Sequence, residues 1–104
     1  MHSITKKAWA EVQDKAFDIV NASAVDDDVM VAVYKEQLFE VLDRLEARFG
    51  IQPALIATRA DFMEDDAARR KLYEQALAMA REEGDEFEVQ EILDSLQHLD
   101  ADQG

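Results

Sequence analysis

Residues 69–96 read RRKLYEQALAMAREEGDEFEVQEILDSL, and they decide the fold class. Leu72, Tyr73, Ala76, Leu77 and Ala80 recur at helical spacing, which makes one apolar stripe on an otherwise charged segment. Gly84 ends that segment, because a glycine takes the left-handed conformation that follows a helix without penalty. Asp85 with Glu88 three residues later has the form of a capping box that starts the next helix. Val89, Ile92, Leu93, Leu96 and Leu99 supply the second stripe. Two amphipathic helices joined by so short a link must lie side by side and antiparallel.

Working outward, the same periodicity predicts three more helices. The first runs from about Ile4 to Val20, with Trp9, Val12, Ala16, Ile19 and Val20 on one face, and "NASAVDDD" breaks it. The second runs from about Asp27 to Phe49 and buries Val31, Tyr34, Leu38, Val41, Leu42 and Leu45. Gly50 and Pro53 separate it from a short third helix, Pro53 to about Met63, with Leu55, Ile56, Ala60 and Phe62. The fourth spans about Ala67 to Glu83 and the fifth reaches about Leu99, leaving 100–104 as a flexible acidic tail. The expected architecture is all-α: a single domain, 1–104, forming a five-helix antiparallel bundle or a short solenoid of helical hairpins. One proline and three glycines offer little of the punctuation an all-β chain needs.

The 104 residues carry 24 acidic and 11 basic side chains, a net charge of −13. Nucleic acid is therefore a poor ligand, since affinity for phosphate backbones rests on positive charge, and an anionic membrane is disfavoured for the same reason. A basic protein is the partner with a physical basis; the plainer role of such acidity is solubility. The charge is localised. From Glu82 to the end there is no lysine or arginine, but there are nine acids: Glu82, Glu83, Asp85, Glu86, Glu88, Glu91, Asp94, Asp100 and Asp102. There is no cysteine, and no apolar run approaches the ~20 residues of a membrane span, so a soluble cytoplasmic protein is expected.

Aligned on itself at an offset of 34, the chain pairs LFEVLDRLEARFG from Leu38 with LYEQALAMAREEG from Leu72, so that Leu38, Phe39, Glu40 and Gly50 fall on Leu72, Tyr73, Glu74 and Gly84. RRKLYEQALAMAREEGD, with Tyr73, Ala76 and the closing Gly-Asp, resembles the second helix of a tetratricopeptide repeat. Ala57 then stands where the first helix of that repeat takes a small residue. The resemblance covers about residues 50–99 and implies helix three as an A helix, helix four as a B helix and helix five as the following A or capping helix. Arg69, Ala60 and Arg81 depart from the usual alanine, aromatic and proline, and the first half of the chain does not follow the register.

Catalytic chemistry has few candidates. No thiol, nucleophile elbow or glycine-rich phosphate loop is present. Glu91, Asp94 and His98 share metal-like spacing on helix five, but no second helix offers matching ligands, so no metal and no cofactor is expected. Asp65 and Asp66 lie four residues before Arg69 and Arg70, the separation of intrahelical ion pairs. Phe87 falls opposite the apolar stripe of helix five. It is expected to fold back over helix four; the alternative is an exposed aromatic ringed by carboxylates, the form of a hot spot for a cationic partner.

These features predict a non-enzymatic, acidic helical module that binds a basic protein through Glu83, Glu86, Phe87, Glu88, Glu91 and Asp94, with Glu82 on the rim. In size and charge such a chain is similar to bacterial immunity proteins, which cover the basic active site of a toxin. The tetratricopeptide resemblance implies an alternative: an adaptor or chaperone that binds a peptide in a groove lined by helices three and five, including Arg59. An apolar face left open by so short a solenoid could also be covered by a second copy of the chain, giving a homodimer.

Overall fold

The computed structural model describes residues 4–103, and Gly104, the end of the expected tail, lies outside them. Five helices follow in order: α1 (Lys6–Ala24), α2 (Asp28–Phe49), α3 (Pro53–Asp61), α4 (Asp66–Glu83) and α5 (Glu86–Gln103). The fold is all-α, built from packed helical hairpins, with no strand among the described residues. The chain divides into two compact units, Met1–Gly50 and Ile51–Gly104.

In the first unit α1 and α2 pack as a hairpin. Lys15 Nζ donates to Gln37 Oε1 at 2.8 Å, and Arg44 pairs with Glu11. As the α1 partner moves toward the N-terminus, its α2 partner moves toward the C-terminus, so the helices are antiparallel. Val12, Ile19 and Ala22 are buried on α1, and Leu38, Val41, Leu42, Leu45 and Phe49 on α2. Trp9 is half-buried, whereas Val20, expected on the core stripe, is exposed.

The first turn corrects an expectation. α1 does not break at Asn21 but continues to Ala24, because Asn21 and Ser23 face solvent while Ala22 is buried. Three residues then suffice to reverse the chain. Asp26 sits at φ 55°, its N–H donates to the Ser23 carbonyl (3.1 Å), and that of Asp27 donates to the Ala22 carbonyl (2.9 Å). This is a left-handed helix terminator of the kind glycine usually provides. Asp27 Oδ1 then accepts the Met30 N–H at 3.1 Å and caps α2.

In the second unit α3, α4 and α5 pack in succession, and α3 also touches α5. Ile56, Ala60, Tyr73, Ala76, Ala80, Ile92 and Leu99 form its buried core. Ala60, Ala76 and Ala80 are wholly inaccessible, and side chains this small let helix axes approach closely. At the α4–α5 corner Gly84 takes φ 72°, its N–H donates to the Arg81 carbonyl (3.1 Å), and the Asp85 N–H reaches the Ala80 carbonyl (3.0 Å). Asp85 Oδ1 accepts the Glu88 N–H at 3.1 Å. Half of the expected capping box is thus formed. The Asp85 N–H, which the Glu88 side chain would have satisfied, is already held by Ala80.

The start of α4 and the end of α5 carry further detail. Arg70 reaches across to Asp100 on α5, and Asp66 and Glu74 of its own helix also act on it, while Asp65 caps α4 by accepting the Ala68 N–H at 3.1 Å. Arg69 pairs with Asp66 at i, i+3 (3.6 Å). α5 does not stop at Leu99. The helix runs on to Gln103, past Asp100, which meets Arg70 of α4.

Candidate functional site

The candidate residues gather at the end of α4 and the start of α5. Glu82 and Glu83 close α4 and are exposed; Glu86, Phe87 and Glu88 make the first turn of α5. Acids suit that turn, because unpaired N–H groups give a helix start a partial positive charge. Phe87 is 73% exposed, so it does not fold back over α4. Its position opposite the Ile92–Leu99 stripe leaves no apolar neighbour for it within that face of the helix. An aromatic ring in water between Glu86 and Glu88 contributes nothing to the core.

One and two turns further on, the site becomes less uniform. Glu91 is exposed on α5, and Asp94 is exposed but accepts a hydrogen bond from Gln90 Nε2 at 3.2 Å. His98 places Nδ1 2.8 Å from the Asp94 backbone carbonyl. That contact turns the imidazole along its own helix, and among the described residues no three His, Cys, Asp or Glu side chains converge as metal ligands would.

The structure adds a residue that sequence reasoning missed. Asp61, the last residue of α3, accepts a hydrogen bond from the hydroxyl of the buried Tyr73 on α4. Arg69 flanks the pair: its Nε donates to the Ala60 carbonyl at 3.1 Å, and its guanidinium lies 6.0 Å from the Tyr73 ring. Partial withdrawal from water pushes the Asp61 carboxyl above its ordinary value; the Tyr73 hydroxyl and Arg69 oppose that, and Glu91 reinforces it. Burial also raises the Tyr73 phenol, with Asp61 adding to the effect. Two sequence signals pointed here: an acid at a helix C-terminus, where the dipole disfavours it, and a core tyrosine whose hydroxyl needed a partner.

Glu88 belongs to the same group. It is half-buried, and burial raises its carboxyl; Glu91, Asp85, Asp61 and Glu83 each raise it further. Every charge acting on Glu88 is therefore another carboxylate. Asp94 is exposed farther along α5.

Other features are of different character. Arg59 on α3 is half-buried and already engaged in an interaction. On the α1–α2 hairpin a depression of about 450 Å³ is lined by Lys7, Glu11, Arg44 and Arg48 among others. Phe17 is 65% exposed on α1. Among the described residues no helix is long and apolar enough to cross a membrane. The chain matches no protein family, no curated protein and no solved structure.

Proposed function

We propose that the chain is a non-enzymatic, cytoplasmic binding module whose α4–α5 corner docks on a basic surface of another protein, in the manner of an immunity or inhibitor protein. The observation that carries this reading is Phe87, 73% exposed between two glutamates in the first turn of α5. Apolar anchors surrounded by charge are how interfaces combine affinity with partner choice. Glu83, Glu86, Glu88, Glu91 and Asp94 would steer the encounter, and Phe87 would hold it. Association should therefore weaken steeply as salt rises, because exposed charges farther apart than the Debye length, about 8 Å at physiological ionic strength, are screened. Charge reversal at Glu88 and Glu91 should abolish binding. Binding that survives both treatments refutes the reading.

A second reading rests on the succession α3, α4, α5, with α3 touching α5 and Tyr73, Ala76 and Ala80 buried on the middle helix. That is the order a tetratricopeptide-like hairpin and its following helix would take, and it favours an adaptor that binds a peptide along α3 and α5. Loss of binding on Arg59→Ala, with the Glu88 and Glu91 reversals tolerated, would select this reading over the first.

A further inference from the structure

We infer that the outer face of α1 is a self-association surface, through which two copies of the chain pair antiparallel about a twofold axis beside Phe17. The surface belongs to the first unit alone, so it stands apart from the acidic corner and goes beyond the binding role proposed for it.

α1 carries two apolar stripes, and its hairpin covers only one of them. Val12, Ile19 and Ala22 are buried on the side that packs with α2. Phe17 and Val20, at 65% and 59% exposed, lie well round the helix from them. With Ala10, Gln13 and Ala24, all exposed, they follow one another at intervals of three, four, three and four residues. That is the spacing of a coiled-coil seam, which keeps a narrow stripe turned toward a partner helix along its length. Phe17 stands at its centre, and the alanines at its ends let a second helix approach closely.

The charges at the two ends of α1 select the occupant. Lys6 and Lys7 open the helix, where the partial positive charge of a helix start disfavours cations. Asp26, Asp27 and Asp28 follow its other end, and the turn fixes them there: Asp26 sits at φ 55°, and Asp27 Oδ1 accepts the Met30 N–H at 3.1 Å. In an antiparallel pair centred on Phe17, Ala10 of each copy meets Ala24 of the other, Gln13 comes beside Val20, and the two Phe17 rings meet. Lys6 lies about 16 Å along the axis from Phe17, and the aspartate turn begins just past Ala24, about 10 Å from Phe17 in the other direction. A lysine side chain spans the difference, so the basic start of each copy reaches the acidic turn of the other. The twofold axis makes every such contact twice. A parallel pair would instead set lysine against lysine and aspartate against aspartate. One pair of helices is a small interface, so this dimer exchanges with free chain rather than being permanent.

Sedimentation of the full chain over about 1–500 μM, the range in which so small an interface exchanges, tests the surface. The average mass should climb from that of one chain toward that of two. Phe17→Glu with Val20→Glu should hold it at one chain with helical content unchanged, because both positions are exposed. Asp26→Asn with Asp28→Asn should weaken association about 3-fold or more, and asparagine tolerates the left-handed angle at position 26. Net charge alone predicts the opposite, since this variant lowers the repulsion between two chains of −13. Orientation is read with thiols, which the chain lacks. Ala10→Cys mixed with Ala24→Cys should give a disulfide-linked dimer on mild oxidation, and neither variant alone should. A mass of one chain at every concentration overturns the inference, as does a dimer that survives Phe17→Glu with Val20→Glu. So does an Ala10→Cys chain that cross-links to itself, or an aspartate variant that associates more tightly. None of these results touches the acidic corner, which the charge reversals at Glu88 and Glu91 decide separately.

Discussion

Asp26 and Phe87 are each held where their chemistry is poorly suited, and for different reasons. Asp26 occupies the left-handed region at φ 55° because the α1–α2 turn needs that backbone angle, which costs a residue with a Cβ on the order of 1 kcal/mol. Asp26→Gly should therefore raise stability by about 0.5–1 kcal/mol in urea unfolding, the relief of strain being partly offset by a more flexible unfolded chain. An unchanged or lower midpoint would show that the aspartate side chain contributes something the backbone does not reveal. Phe87 is exposed where a helix first turn ordinarily carries polar residues. Phe87→Ala should leave the unfolding free energy within about 0.5 kcal/mol of the parent. The same change should weaken partner binding by at least ~10-fold, the minimum expected of an anchor. A large stability loss instead would mean that the ring packs.

At the scale of elements, the ends of helices do much of the work. α3 is a helix of nine residues with no side-chain cap at its start, and it is tied to α4 at its far end through Asp61–Tyr73 and Arg69–Ala60. Tyr73→Phe keeps the packing and removes one bond. It should cost about 1 kcal/mol in equilibrium unfolding and leave Asp61 without a donor, which moves its carboxyl further up. The helices themselves were legible in the sequence, because each stripe, stop and cap is a local property: Gly84, Asp85, Asp27 and Pro53 act where they were expected to act. What could not be read were contacts between elements. Asp66 on its own helix was a local partner for Arg70, but its contact with Asp100, thirty residues away, exists only through tertiary packing. The end of α5 and its tail were misjudged too. Asn21 and Ser23 resemble turn residues by composition, yet they sit in a helix once Ala22 is buried beneath them.

At the scale of the whole molecule, a net charge of −13 is spread unevenly, and the acids of α4 and α5 do not all have the same role. Asp85 caps a helix, Asp94 bonds along its own turn and Asp100 meets Arg70. Burial raises the Asp61 and Glu88 carboxyls, and neighbouring carboxylates add to it. The sequence marked the region and its aromatic residue. It could not supply Asp61, because nothing local links the end of α3 to Tyr73 on α4. A basic protein surface is the partner that both the charge and the exposed ring would suit.

The most direct test of that account places a photo-crosslinking phenylalanine analogue at position 87 of the full chain, expressed in its native cells, and identifies what it captures. The account predicts a covalent adduct with a protein presenting a basic surface, formed through position 87, lost on charge reversal at Glu88 and Glu91 and lost at high salt. An analogue at position 87 that captures no protein, or an adduct indifferent to salt and to charge reversal, would contradict it.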